Sequence, residues 1–194
     1  MKISTSGKAT LVILAGGAML SALVHAQVSN DPFDVTNGVK ITKASPTIPG
    51  TGPEGMFGGN TGYRNNTVEK GNTLFVDAGT DKPYFVEFTT PKPVTIKGIV
   101  EYVARDTNRS RTAYRIRFYP DQNNNGNFDD DGYRDTGTNP LDTSVDESTG
   151  KSSKYVCTFS GPPCKASRFR IEFWAKPGVK NPGPRVVEID AIPG

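Results

Sequence analysis

Short runs of alternating apolar and polar residues recur along most of the chain, and no apolar stripe with helical spacing extends beyond about two turns. Period-two alternation buries one face of a strand and leaves the other in water. Eight or so such runs, separated by turn residues, predict an all-β fold, an eight-stranded antiparallel β-sandwich or jelly roll. The runs are Gly38–Thr42, Thr73–Asp77, Tyr84–Phe88, Val94–Ile96, Gly98–Val103, Tyr114–Phe118, Tyr155–Phe159, Phe169–Phe173 and Val186–Ile189.

The alternation also assigns faces within single strands. In the run 114–118 the aromatic residues and Ile116 point to one side, and Arg115 and Arg117 point to the other. In the run 169–173 the outward residues are Arg168, Arg170 and Glu172. Trp174 continues this outward face, where it would serve either as a packing residue or as a platform for a ligand.

The first 26 residues have the layout of an export signal. Lys2 and Lys8 are followed by an apolar stretch, and Val24-His25-Ala26 places short side chains at the positions that a signal peptidase recognises. We therefore expect a signal peptide over 1–26, a loose N-terminal lead-in over 27–38, and one domain over 39–194 in a secreted or periplasmic protein. The alternative is an uncleaved N-terminal anchor, although the apolar stretch is short and interrupted by glycine.

Removal of this segment lowers the formal charge of the chain from +3 to +1. A nearly neutral chain with interspersed charges lacks the basic surface that nucleic-acid binding requires. The remaining length suits one hydrophobic core and is short for two. We expect a monomer that binds no nucleic acid.

The two cysteines, Cys157 and Cys164, lie close in sequence near the C-terminal end. In an oxidising compartment such a pair is more often a disulfide than a metal or redox site. The sequence therefore predicts a Cys157–Cys164 disulfide that closes a short loop.

Catalytic chemistry has few candidate residues in this chain. The only histidine, His25, lies in the predicted signal, which excludes histidine-based triads and most zinc sites from the mature protein. A glycosidase needs two carboxylates held across a cleft, and no spacing singles out such a pair. We expect a protein that is not an enzyme.

Several short motifs occur in an order that resembles the discoidin family, also called the coagulation factor V/VIII C-type domain. They are Ala44-Ser45, Gly52–Gly62 with Phe57-Gly58-Gly59-Asn60, Phe85-Val86-Glu87-Phe88, Ile96–Val100, Tyr114–Phe118, Ser167–Ile171 and Pro184–Ile189. The resemblance covers roughly residues 39–192. It implies a galactose-binding-like jelly roll that binds ligands, usually sugars, through loops at one end of the sandwich.

The resemblance also implies two sites. Gly58 stands where the family commonly has an aspartate that helps to hold a structural calcium, so Asn60 and Glu188 are the remaining candidate ligands of that site. Two predicted loops, 62–66 and 105–111, contain the aromatic, amide and arginine groups that bind sugar hydroxyls. The three arginines of the loop 105–111 would also suit an acidic sugar. The ligand-binding candidates are Tyr63, Arg64, Asn65, Arg105, Asn108 and Arg109.

Residues 121–132 form an Asp- and Asn-rich loop with calcium-loop spacing. Oxygen-bearing side chains occupy positions 1, 3 and 5, a glycine occupies position 6, and Phe128 occupies position 8. Gly132 replaces the usual position-12 glutamate, so Asp130 or Asp131 would have to substitute. Calcium is one interpretation, and a solvated hairpin is the other. The candidate ligands are Asp121, Asn123, Asn125, Asp129 and Asp131.

Three classes of function remain open from the sequence. The first is a secreted module that binds a carbohydrate or a cell-surface glycan, with calcium as a structural cofactor. The second is a structural or adhesion domain that binds protein or another surface component. The third, binding to a membrane surface, is disfavoured because neither candidate loop carries adjacent large apolar residues.

Overall fold

The computed structural model describes residues 30–59, 72–103, 113–138, 153–179 and 183–194, and the predicted export signal lies outside these ranges. The described residues form eight strands and two short 3₁₀ helices, and neither helix is long and apolar enough to cross a membrane. The helices are Val35–Asn37 and Pro53–Phe57. The strands are β1 (Lys40–Ala44), β2 (Thr73–Leu74), β3 (Tyr84–Val103), β4 (Arg115–Pro120), β5 (Arg134–Thr138), β6 (Ser153–Thr158), β7 (Cys164–Trp174) and β8 (Arg185–Pro193).

The strands pair antiparallel in the order β2-β8-β3-β7-β4-β5, and β1 and β6 also pair with β3. The first part of β3 pairs with β1 and β7, whereas its last part pairs with β6 and β8. The register shifts between Thr89 and Val94, a stretch that contains Pro91 and Pro93, which have no N–H to donate. The strand β3 therefore contributes to both layers of the sandwich. The predicted all-β jelly roll is confirmed.

A cluster of phenylalanine rings fills the space between the layers. Phe33 contacts Phe88 and Phe169 at ring-centroid distances of 5.0 and 5.2 Å. Phe33 is fully buried, although it lies in the segment predicted to be a loose lead-in. The described part of that segment is therefore packed, because the ring adds apolar surface that the two sheets bury together.

Strand β5 was missed by the hydrophobic pattern because its sequence, Arg-Asp-Thr-Gly-Thr, has no apolar residue. Its position depends on contacts with β4. The Thr136 hydroxyl donates to the carbonyl oxygen of Ile116 (3.1 Å) and accepts from the Ile116 N–H (3.2 Å). Polar cross-strand contacts of this kind substitute for the apolar face that an edge strand lacks.

The predicted disulfide is not formed, because Cys157 and Cys164 are both free, buried thiols. Cys157 pairs with Ile99 of β3, and Cys164 pairs with Ile96. Positions three residues apart are about 10 Å apart along an extended strand, whereas a disulfide joins Cα atoms roughly 4.4–6.8 Å apart. The Cys164 thiol instead faces the carbonyl oxygen of Ile96 at 3.6 Å, and burial raises the pKa of both thiols.

Candidate functional site

The six residues predicted to bind a ligand fall in two ranges that lie outside the described residues. Tyr63, Arg64 and Asn65 lie in the range 60–71, and Arg105, Asn108 and Arg109 lie in the range 104–112. Both ranges connect described elements, since the first follows the 3₁₀ helix Pro53–Phe57 and the second joins β3 to β4. The ligand-binding assignment therefore stays a prediction.

The acidic loop, residues 121–132, is organised around the buried carboxylate of Asp121. The N–H groups of Asn125 and Gly126 donate to its two oxygens at 3.0 and 2.9 Å. Arg168 adds an ion pair at 3.5 Å. Gly126 has φ of +85° and lies against Arg168, where a Cβ atom would come within 3.0 Å of the guanidinium. Only glycine fits this turn without strain, as the loop spacing predicted.

The remaining oxygens of the acidic loop hold its backbone in successive turns. The Asn123 side-chain oxygen accepts from the Asn125 N–H (3.0 Å), and the Asn125 oxygen accepts from the Asn127 N–H (2.7 Å). Asp131 closes the loop because its Oδ2 accepts from the Gln122 and Asn123 N–H groups at 2.7 and 3.1 Å. Asp131 thus closes the loop through hydrogen bonds, and its role as a calcium ligand stays a prediction.

Two further details bear on calcium binding by the acidic loop. Phe128 is buried and fixes the loop to the body of the domain, as predicted, with the Arg168 guanidinium 6.0 Å from its ring centroid. The Asp130 carboxylate accepts from the side-chain amides of Asn123 and Asn125 at 3.3 and 2.6 Å. Among the candidate ligands, Asp121, Asn123, Asn125 and Asp131 are therefore linked by hydrogen bonds. The oxygen-only donor set is the one that calcium prefers.

A second group of acids, the carboxylate cluster, consists of Asp31, Glu188 and Asp190, whose carboxylate oxygens lie within 4.8 Å of one another. Asp31 accepts from the Ala191 N–H at 2.9 Å, which ties the N-terminal segment to β8. Burial, and to a smaller extent repulsion from Asp190 and Asp34, raises the pKa of Asp31 to about 6. The hydrogen bonds that Asp31 accepts from the Ala191 and Phe33 N–H groups lower the pKa but do not offset this rise. The structure thus joins Glu188 to Asp31, whereas the predicted partner Asn60 lies outside the described residues.

The outward side of strands β3, β7 and β4 carries what we call the arginine–aromatic face. Arg117 lies between two rings, with its guanidinium carbon 4.5 Å from the Tyr133 centroid and 5.0 Å from the Trp174 centroid. Arg170 covers the Phe85 ring at 4.6 Å. The outward direction predicted for Trp174 is therefore confirmed. The face comprises Phe85, Glu87, Arg115, Arg117, Tyr119, Tyr133, Asp135, Arg170, Glu172 and Trp174.

The centre of this face contains a buried acid. Glu172 is only 7 % exposed and accepts a 3.0 Å hydrogen bond from the Tyr119 hydroxyl. Arg170 contacts both Glu172 (3.4 Å) and Glu87 (3.7 Å). Burial and the neighbouring Glu172 raise the pKa of Tyr119 to about 12, so the hydroxyl remains a donor throughout the physiological range.

Cations and acids are distributed unevenly over the face. At its β4–β5 corner, Arg115 and Arg117 share the single carboxylate of Asp135 at 3.4 and 3.6 Å. In the centre one guanidinium, that of Arg170, faces two carboxylates. Among the described residues, this corner therefore has one more guanidinium than it has carboxylates, and Tyr133, which is 44 % exposed, lies beside it.

Sequence reasoning missed two of these groupings for different reasons. Asp31 lies far from Glu188 in sequence, and only the packing of the N-terminal segment against β8 brings the two together. The corner was missed because β5, which contributes Asp135, has no hydrophobic alternation. The outward arginines of β4 were the available signal for it.

No family model and no curated protein matches the sequence. Among solved structures, a mutant of the lectin binding domain of lectinolysin, described as complexed with Lewis b, matches with a TM-score of 0.57 at 11 % identity, covering 86 % of this chain and 99 % of that chain. The chain therefore has the fold of that lectin domain.

Family 32 carbohydrate-binding modules recur among the matched structures. One, from a family 31 glycoside hydrolase of Clostridium perfringens, matches with a TM-score of 0.56 at 13 % identity, covering 80 % of this chain and 91 % of that chain. The chain has a discoidin-like, galactose-binding-like fold, and the resemblance expected from its motifs is confirmed at the level of the fold.

The same fold also occurs in a chain with an enzyme name. Allantoicase from Saccharomyces cerevisiae matches with a TM-score of 0.52 at 13 % identity, and the match covers 83 % of this chain but only 42 % of that chain. The fold therefore occurs both in carbohydrate-binding modules and in a chain named as an enzyme.

Proposed function

We propose that the protein is a secreted, non-catalytic module that binds carbohydrate through the predicted loops 62–66 and 105–111. The observation that carries this proposal is the match of nearly the whole described sandwich to carbohydrate-binding modules and to a lectin domain. The two loops supply Tyr63 and Arg109, an aromatic ring and a guanidinium of the kind that bind sugar rings and hydroxyls.

The non-catalytic part of the proposal depends on the composition of the mature chain. The only histidine lies within residues 1–26. The cysteine thiols are buried, and their raised pKa values disfavour the thiolate that a nucleophile requires. Export is supported by the charged and apolar layout of the same N-terminal segment.

A glycan array probed with the mature protein, residues 27–194, tests the proposal directly. We expect binding to a restricted set of glycans, and we expect Tyr63→Ala and Arg109→Ala each to weaken it at least tenfold. Lys154→Gln, a substitution of an exposed residue on β6, serves as the matched control and should bind like the wild type. Absence of binding to both neutral and acidic glycans would instead favour the alternative, a structural or adhesion domain that binds protein.

We further propose that calcium, if supplied, binds in the acidic loop and has a structural role. The support is the convergence of side-chain oxygens from Asp121, Asn123, Asn125 and Asp131 within one short loop. Asp129 is exposed and completes the predicted set. The ion would stiffen the connection between β4 and β5, and these residues take no part in chemistry.

A further inference from the structure

We infer that the β4–β5 corner of the arginine–aromatic face is a second carbohydrate site, which takes a sugar ring bearing a carboxylate or sulfate group. The corner consists of Arg115, Arg117, Tyr133, Asp135 and Trp174. The inference depends on the proposed carbohydrate binding only for the class of ligand, because this corner lies on a sheet face and includes no residue of the predicted ligand-binding loops.

Two aromatic rings flank the Arg117 guanidinium at this corner. A guanidinium stacked between the rings of Tyr133 and Trp174 fixes both side chains at the surface. Tyr133 also packs against Tyr119, with ring centroids 5.4 Å apart, and remains 44 % exposed. A rigid, half-exposed ring of this kind offers an apolar face to the C–H groups of a sugar at a small cost in side-chain entropy.

The charges of this corner favour an anionic ligand. Arg115 and Arg117 share the Asp135 carboxylate through their Nε atoms, so within the described part of the chain the corner has one more guanidinium than carboxylate. The Arg115 side chain is 40 % exposed, and the planar donor fork of arginine matches a carboxylate or sulfate. A neutral sugar has no anionic group to pair with a guanidinium, so a sugar ring with a carboxylate or sulfate is the better ligand.

Trp174 also carries a hydrogen-bond donor beside the stacked rings. The Trp174 indole N–H is buried without a hydrogen-bond acceptor in the described part of the chain. Because the nitrogen is buried, a ligand oxygen reaches it only if the indole ring shifts on binding. Because Trp174 is the only tryptophan, its fluorescence also reports on this corner alone.

A fluorescence titration with an oligogalacturonate tests the inference, with the fully methyl-esterified oligomer as the uncharged counterpart. We expect the acidic oligomer to change Trp174 emission and to bind at least tenfold more tightly than the ester. Tyr133→Ala and Arg115→Gln should each weaken binding at least tenfold, with unchanged circular dichroism. Arg115→Lys should recover only part of the affinity, because an ammonium lacks the planar fork.

Two controls separate this site from the loops and from general charge attraction. Lys154→Gln removes one positive charge from β6, outside the β4–β5 corner, and should leave the affinity within twofold of wild type. Tyr63→Ala and Arg109→Ala should also leave it unchanged, even if they abolish binding on the glycan array. Equal binding of acid and ester, loss of binding in Lys154→Gln, or full binding by both Tyr133→Ala and Arg115→Gln would overturn the inference.

Discussion

The molecule holds two groups of carboxylates that it accommodates in opposite ways. In the acidic loop, neighbouring N–H groups surround Asp121 and Asp131, and every member comes from a single stretch of the chain. In the carboxylate cluster, Asp31 meets Glu188 and Asp190 from the far end of the sequence, and burial dominates its environment. The same chemical group thus stabilises a turn in one place and resists ionisation in the other.

The difference shows what determines the cost of a buried acid. Two backbone N–H donors and the Arg168 guanidinium compensate the buried charge of Asp121. Asp31 also accepts from two N–H groups, which lower its pKa. The loss of solvent and the neighbouring acids raise that pKa by more, so the net shift is upward.

The largest effect should come from removing the anchor of the acidic loop. We expect Asp121→Ala to lower the free energy of unfolding by about 3 kcal/mol, because two N–H donors and Arg168 lose their shared acceptor. Thermal unfolding in the presence of a chelator measures this. Asp129→Ala, a change of an exposed aspartate in the same loop, is the matched control and should cost less than about 0.5 kcal/mol. Equal losses in the two variants would contradict the assigned role of Asp121.

The next prediction concerns calcium and distinguishes the acidic loop from the carboxylate cluster as the place where the ion binds. A ligand present at about one hundred times its dissociation constant stabilises the folded state by roughly 2.7 kcal/mol. We expect calcium to raise the melting temperature of the wild type, and we expect Asp129→Ala to lose this response while Glu188→Gln keeps it. A response lost only in Glu188→Gln would transfer the site to the carboxylate cluster, and an unchanged melting temperature would remove the calcium proposal.

The third effect is the pH dependence that Asp31 should contribute. Its raised pKa, about 6, means that the folded state binds the proton more tightly than the unfolded state. Stability therefore increases as the pH falls from about 6 towards the ordinary carboxyl value. Asp31→Asn retains a side-chain oxygen acceptor and should be more stable than the wild type by about 2 kcal/mol above pH 6, after some allowance for solvent screening.

Chemical denaturation between pH 4 and pH 8, with a chelator present, measures this difference between Asp31→Asn and the wild type. Asp34→Asn, at the other nearby acid of the N-terminal segment, is the comparison variant. Parallel stability curves for Asp31→Asn and the wild type over the whole range would contradict the assignment of the pH dependence to Asp31.

The smallest effect should come from the closing residue of the acidic loop. Asp131→Ala removes an acceptor of the Gln122 and Asn123 N–H groups, but both donors are exposed and can bind water instead. We expect a loss of about 1 kcal/mol in a chelator, well below that for Asp121→Ala. A loss as large as that of Asp121→Ala would mean that the loop has two equal anchors.

Much of the sandwich could be predicted from local pattern. The outward arginines and the inward Phe169, Ile171 and Phe173 of β7 follow directly from period-two alternation, and the structure confirms each of them. The turn at Gly126 and the burial of Phe128 followed from the spacing of one short loop. These features depend on residues that are near neighbours in sequence, so a pattern can reveal them.

The failures of the pattern arise from contacts between distant segments. Phe33 is a core residue because the N-terminal segment packs across the sandwich, and Asp31 belongs to the carboxylate cluster for the same reason. The Cys157–Cys164 disulfide was wrong because closeness in sequence does not give closeness in space when both residues lie beside an extended strand.

The sequence alone determined the strand alternation, the calcium-loop spacing and the faces of β4 and β7, since each depends on backbone geometry that repeats every few residues. The tertiary structure decided which outward side chains meet. It placed Asp135 of β5 between Arg115 and Arg117, and it brought Asp31 to Glu188. Charge balance and desolvation depend on all the neighbours of a group, and strand pairing draws those neighbours from distant parts of the chain.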